Sequence, residues 1–366
     1  RDKLVTGVQT CALPIFTYWA TPFSYRTRLD IINIFASDQW RFKRLTLTGG
    51  VRFDGLRGSV PEQHLAAGLY VPKRDFAAVS NTPDWKDINP RIGASFDLFG
   101  NGKTALKASL SRAVNFEASG GYTLLNNPVN AMVTSATRTW NDSNNDYIPQ
   151  ASELSGLSNS AFGTVVRNTF YSDDVVKGWG TRGYSWAGSV SLQQELRPGV
   201  ALNVGYFRTW FGNFTVTDNT LVSPTDYDPY CITAPSDPRL PGGGGNQICG
   251  FADIQKAKFG QVNNLVVPAS KFGNQSDVFT GIDVTVNARF RKGVFAGGMS
   301  TGHEVTDRCF VVDSPQELYQ CHIDPPWYST TQFKFLGVYP LPWHFQVSGN
   351  VQILPSVPFL ASYVAT

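Results

Sequence analysis

The first side chains able to do chemistry are the oxygens of Asp142-Ser-Asn144-Asn-Asp146, with Glu153 eleven positions after Asp142. Oxygen donors at alternate positions, closed by a carboxylate at that distance, form the donor pattern of an EF-hand-type calcium loop. Two features depart from it. Tyr147 stands where such a loop places glycine for its sharp turn, and Pro149 follows. No helices are expected on either side. Two readings stand together: a weak Ca2+ site made by Asp142, Asn144, Asp146 and Glu153 in an outer loop, or a solvated polar turn.

Sulfur offers the second chemistry. Of five cysteines, Cys231 and Cys249 bracket CITAPSDPRLPGGGGNQIC, and Cys309 and Cys321 bracket CFVVDSPQELYQC. Two local pairs, each inside one loop, read as disulfides, and disulfides suit a periplasmic or surface compartment. Each would remove roughly 3 kcal/mol of unfolded-chain freedom in the chain-entropy model. Free thiols or a metal are the alternatives. No Cys-x-x-Cys or paired His at ligand spacing supports zinc, and His322 beside Cys321 is incidental.

Other patterns carry less. Gly178-Trp-Gly180-Thr-Arg-Gly183 fits G-x-G-x-x-G but precedes a strand, where a dinucleotide site needs a strand leading into a helix. Gly242–Gly245 lacks the Lys-Ser/Thr of a phosphate loop and reads as a flexible lip. Asn213-Phe-Thr215 is a glycosylation sequon by its letters only, inside a strand. The four His are scattered, and no His/Asp/Ser constellation suggests hydrolysis. No catalytic residue and no bound organic cofactor is expected, and the chain reads as a non-enzyme.

The elements that hold these loops are long alternating strands. Tyr184 to Thr217 reads YSWAGSVSLQQELRPGVALNVGYFRTWFGNFTVT. Trp186, Val190, Leu192 and Leu196 share one parity; Ser185, Ser189, Ser191, Gln193 and Glu195 share the other. Past Arg197-Pro198-Gly199, Val200, Leu202, Val204, Tyr206 and Trp210 alternate with Asn203 and Thr209. Side chains of a strand point alternately to opposite faces, so this hairpin has one apolar and one polar face. Its arms are more than twice the usual soluble strand of about 5–6 residues. The same unit recurs at 29–53, 92–110, 278–302 and 333–353.

The connections alternate in length. Short ones fall at 43–44, 101–102, 197–199, 291–293 and 340–342; long ones at 58–88, 115–183, 218–276 and 303–327. A final short one, near Pro355–Pro358, breaks the rule, and a last arm begins near Phe359. In an up-and-down sheet, alternate connections emerge at opposite ends. Tight turns at one rim and long loops at the other mark an outer-membrane barrel. Trp40, Phe42, Phe99, Phe290, Phe295, Trp343 and Phe345 lie near the tight turns, where an interfacial aromatic girdle belongs. Charged residues make 16% of the chain, against about 25% in soluble domains. No apolar run reaches the roughly 18 residues of a membrane helix. A net charge of +3 decides nothing about partners, and the lack of a basic stripe with interleaved aromatics disfavours nucleic acid.

WKDINPRIGASFDLFGNGKTALKASLSRAV (85–114), SWAGSVSLQQELRPGVALNVGYFRTWFGNFTVTDN (185–219) and SDPRLPGGGGNQICG (236–250) resemble the barrel of Oar-like TonB-dependent receptors of the type that carries a carboxypeptidase-regulatory-like domain. The resemblance runs from about residue 16 to the end. It implies an all-β fold: a partial antiparallel up-and-down transmembrane barrel, about 10–11 strands of a 22-stranded one. It also implies a bacterial outer-membrane location, a plug N-terminal to this stretch through which the TonB complex acts, and outer loops that capture an extracellular ligand, sugar and peptide both being compatible. Residues 1–15, RDKLVTGVQTCALPI, resemble translated sequencing-adapter read-through and are set apart from the barrel at 16–366, expected to be truncated at both ends. An open diffusion pore or surface adhesin on the same barrel is the alternative, and a secreted soluble β-enzyme the third reading.

Overall fold

A computed structural model describes residues 14–118, 120–290 and 292–355. Ten long strands follow one another: β1 Arg28–Phe42, β2 Leu45–Val60, β3 Val79–Asp97, β4 Thr104–Val114, β5 Tyr184–Arg197, β6 Val200–Gly212, β7 Ser276–Arg289, β8 Val294–Asp307, β9 Gln332–Pro340 and β10 Gln346–Ile353. Each pairs with the next in sequence. Two short strands join this path: Lys177–Trp179 runs parallel to β3, and His322–Ile323 antiparallel to β8. Among the described residues the path is open, with β1 and β10 at its edges. The fold is all-β and antiparallel apart from that parallel pair and a second between Asn264–Pro268 and Thr169–Tyr171, and among the described residues no helix is long and apolar enough to cross a membrane.

The register shows what the alternation does. Leu192 pairs with Val204, which pairs with Val284; one residue along, Gln193 pairs with Asn203 and then Thr285. Apolar rows and polar rows therefore lie on opposite faces. The apolar rows are not covered by a second sheet: Val204 is 37% exposed and Val351 56%. The seven aromatics expected near the tight turns are all exposed, from Phe295 at 37% to Trp343 at 85%. An uncovered apolar face of this extent is incompatible with water and fits lipid.

The strand ends differ from the sequence reading at several places: β6 ends at Gly212, which leaves Asn213 outside the strand, and β8 runs on to Asp307. The stretch 58–88 was expected as a loop, but β2 runs for 16 residues and β3 for 19, leaving only 61–78 as the connection. The inner ends of these strands bury Asp54, Asp87 and Asn89 beside Leu56 and Trp85. Burial of polar side chains erases the polarity rhythm that reveals a half-buried strand. The arm near Phe359 and residues 1–13 lie outside the described residues, while Pro14 is described and Ile15 begins a short strand, Ile15–Trp19.

The chain divides into two compact units. One comprises the chain up to Asp30, Arg57–Pro83 and Glu117–Asn168. It pairs Ile15–Trp19 with Ser135–Thr139 and Gln63–Leu65 with Arg74–Phe76. Its core is Ala20, Leu65, Val71, Val129 and Met132. The other comprises Ile31–Leu56, Asp84–Phe116 and the chain from Thr169. Within it, Thr215–Asn219 pairs with Asn264–Pro268, which pairs with Thr169–Tyr171. Val216, Val267, Ala269, Phe310 and Val312 form its loop core, so the 213–275 and 308–331 connections share one apolar cluster.

Candidate functional site

The polar face of β7 to β10 forms a groove of about 660 Å³. Asp283, Thr285 and Asn287 line it from β7, Ser300 from β8, Lys334 from β9 and Gln352 from β10. Ser300 Oγ donates to Asp283 Oδ1 at 2.5 Å. Alternation alone puts these groups together. They can bind polar solutes or polypeptide, and none forms a nucleophile–base pair.

A second polar assembly sits toward the long-connection end of β2, β3 and β4. Asp87, wholly buried, accepts from Arg182 Nε at 2.9 Å, and Arg182 Nη2 stands 2.8 Å from the same oxygen in an ion pair. Arg112 stands 3.6 Å from its other oxygen. Arg112 Nη1 also donates to Asn89 Oδ1 at 2.9 Å, Asn89 donates to Asp54, and Asp54 takes Arg52 at 2.5 Å. The Arg182 guanidinium lies 5.4 Å from the centre of the Trp85 ring, whose Nε1 donates to Val175 O at 2.9 Å. Opposite charges alternate along this chain of contacts, so no buried charge stands uncompensated. It ties the end of the 115–183 connection to β3. The sequence reading missed it: Arg182 and Asp87 are far apart in sequence, and only the WKD of the 85–114 block hinted at a buried charge.

Both cysteine pairs are disulfides. Cys231–Cys249 closes a hairpin of Tyr227–Thr233 and Gln247–Ile254, with Cα atoms 4.2 Å apart. Cys309–Cys321 joins Cα atoms 4.9 Å apart, and Arg308 N donates to Cys321 O at 2.9 Å beside it. The run Gly242–Gly245, expected as a flexible lip, is a defined turn. All four residues have positive φ, from 70° to 81°, and Gly245 N donates to Ala234 O at 3.1 Å. A Cβ on Gly244 would meet Pro235 O at 1.9 Å, which explains why glycine alone serves there. Asp313, in the next connection, accepts the Asn219 N–H with both oxygens at 3.0 and 3.1 Å. Burial pushes its pKa up, with Asp218 and Glu317 nearby adding to the effect.

Asp142, Asn144, Asp146 and Glu153 lie in one loop, hydrogen-bonded to their own neighbours. Asp142 Oδ2 accepts from Tyr147 N at 3.0 Å; Asn144 Oδ1 accepts from Asp146 N at 2.9 Å; Asp146 Oδ1 accepts from Ile148 N at 2.7 Å. Glu153, 7% exposed, gathers Trp140 Nε1 at 2.9 Å and the Ser143 N and Oγ at 3.0 Å. The Trp140 indole first, then Ser143 and the Gln150 amide, hold its carboxyl down at about 2. Tyr147, in the place of glycine, takes φ of 60°. Among the described residues, no three His, Cys, Asp or Glu side chains come together to hold a metal ion.

Exposed aromatics crowd the long connections: Tyr147 is 83% exposed, and Phe259 and Tyr328 79% each. Rings of this kind give a loop contact area at low entropic cost.

Residues 7–296 match the family model described as outer membrane beta barrel domain. No curated protein matches the chain. Among solved structures, the FrpB iron transporter from Neisseria meningitidis is similar at 9% identity and TM-score 0.43, over 90% of this chain and 33% of that one. The alcaligin outer membrane receptor FauA from Bordetella pertussis gives 12% and 0.38, over 90% and 38%. The outer membrane transporter YddB from Escherichia coli gives 7% and 0.40, over 86% and 40%. The chain thus spans between 33% and 40% of the length of these structures.

Proposed function

Since the chain belongs to the outer membrane β-barrel domain family, and is a protein of the bacterial outer membrane, we propose that it is part of a TonB-dependent receptor whose long loops capture a ligand for energised uptake. The observation that carries this reading is the segregation of connections. Turns at 43–44, 98–103, 198–199, 290–293 and 341–345 alternate with connections at 61–78, 115–183, 213–275 and 308–331. Long, folded, disulfide-bonded loops at one end of the strands supply a capture surface, and a plain pore has no need of them. The polar face of the sheet supplies the wall against which a plug would rest. Among the described residues the sheet has two unpaired edges, and edges of that kind do not face lipid, so this reading requires the barrel to be closed. The 85–114 and 185–219 blocks support the Oar-like subtype. The reading assigns the chain no covalent chemistry.

The test is made on the gene's whole product, reconstituted in planar bilayers and offered the purified periplasmic domain of TonB. Negligible conductance together with capture of that domain is expected. Steady open conductance without capture would establish a diffusion pore instead. Calcium at Asp142, Asn144, Asp146 and Glu153 is a subsidiary proposal. Its support is the donor spacing and the buried Asp142 Oδ1, which has no hydrogen-bond partner. Addition of calcium should change Trp140 fluorescence, and no change up to millimolar calcium removes the assignment.

A further inference from the structure

The outward apolar face is not uniform. Between β1 and β6 it holds a groove of about 530 Å³. The pairing register places its residues in two neighbouring rows. One runs Ile92, Leu110, Gly188, Arg208; the next runs Ala94, Ala108, Val190, Tyr206. Ala94, Ala108 and Gly188 leave the floor low. Trp40, from β1, stands over Gly49 at the far side of the same groove.

Arg208 is the anomaly. Its parity is that of Val204, Tyr206 and Trp210, so it points to the lipid side of β6. It is exposed, and among the described residues no ion pair or hydrogen bond engages its guanidinium. One row nearer the long-connection rim, Trp186 and Trp210 stack at 6.3 Å, as residues of an interfacial girdle do. A guanidinium one row inside that girdle is within a side chain's reach of the headgroup layer. In hydrocarbon an unpaired cation is costly, and an anion delivered from the headgroup layer removes the cost.

We propose that this groove binds one anionic, phosphate-bearing lipid, its acyl chain over Gly188, Ala108 and Ala94 and its phosphate on Arg208. Arginine matches a phosphate with two parallel N–H donors. Gly188, directly opposite Arg208 in the register, leaves space beside the stem for the first part of the chain. Strand tilt inclines the rows to the membrane plane, so a chain lying along them descends into the bilayer. The occupant is set by charge: a zwitterionic lipid fills the trough equally well but brings its own cation to the guanidinium. The assignment depends on the barrel and not on what the loops capture.

The test uses the whole protein, purified from outer membranes and exchanged into micelles carrying dioleoyl phosphatidylglycerol or dioleoyl phosphatidylcholine. Native mass spectrometry counts the lipid that survives. Wild type should retain one phosphatidylglycerol and prefer it over phosphatidylcholine by roughly fivefold, the factor that one surface arginine contributes to anionic-lipid binding. Arg208→Gln should abolish the preference, and Arg208→Lys should keep most of it. Ala108→Leu should lower retention of both lipids by raising the groove floor. Heat-modifiable migration on gels checks that each variant is folded. Equal retention of the two lipids by wild type, or an unchanged preference in Arg208→Gln, overturns the proposal. So does a second copy of the chain occupying the groove, seen as a dimer that Ala108→Leu dissolves.

Discussion

Where the strands turn back at once, neighbours in sequence close the turn. Asp97 accepts from Gly100 N at 2.9 Å and Gly102 N at 2.8 Å, and Lys103 N finds Asn101 Oδ1 at 3.0 Å. At the other end of the same strands turn hydrogen bonds do not suffice. There Arg182 meets Asp87 and Val216 packs with Phe310 over long separations, and a covalent bond joins Cys231 to Cys249 within one loop. Loop-closure entropy grows with the length enclosed, so long connections need stronger ties than a turn hydrogen bond. The two ends therefore differ in how much a single substitution costs and in which solution conditions loosen them.

The largest contrast should come from Arg182→Leu. It leaves buried Asp87 with Arg112 alone, at 3.6 Å. Removing one partner of a buried ion pair costs about 3–5 kcal/mol. Gly102→Ala, at the tight-turn end, strains a φ of 72° with no atom within 4 Å of the new Cβ. A left-handed non-glycine residue costs about 1–2 kcal/mol. Urea unfolding of the detergent-folded protein compares the two. If Gly102→Ala is the more damaging, the ends are not built as described.

Next in size is the disulfide. Cys231→Ser with Cys249→Ser should release about 3 kcal/mol of restraint from the hairpin Tyr227–Thr233 and Gln247–Ile254. The effect should be local: limited proteolysis opens that hairpin while β1 to β10 keep their protection. Reduction of wild type should reproduce it, and protease resistance unchanged after reduction would show that the turn at Gly242–Gly245 holds the loop unaided.

The same division governs how far the sequence could be read. Val190, Leu192, Val204 and Val284 announce their strands because lipid on one side and water on the other impose a strict two-residue rhythm. The Cys231–Cys249 and Cys309–Cys321 pairs were legible because each lies within one loop. Residues 79–89 hid a strand end, since Asp87 and Asn89 are buried there against distant arginines, and rhythm reports only the nearest environment. The three-stranded sheet of Thr215–Asn219, Asn264–Pro268 and Thr169–Tyr171 was illegible for a related reason. Its segments are short, the first two pair from opposite ends of one long connection, and the third comes from another. Arg208 shares the parity of Val204 and Trp210, but only the neighbouring strands show the trough beside it.

The smallest effect concerns the loop held by a carboxylate instead of a covalent bond. Glu153 sits at about 2, below the roughly 4.3 of a free glutamate, because Trp140, Ser143 and Gln150 donate to its charged form. The folded loop therefore binds fewer protons than the unfolded one in that window. Its stabilisation is complete above about pH 5 and drains away as pH falls through about 2. Hydrogen exchange at the Ser143 and Gln150 amides should show protection at neutral pH that weakens progressively between those limits. Glu153→Gln should show weaker protection at neutral pH and little further change on acidification, because its amide keeps one acceptor and carries no charge to lose. The disulfide hairpin should not respond over the same range. Wild-type protection at pH 2.5 equal to that at pH 7 would mean that packing around Trp140, and not the Glu153 charge, fixes the loop.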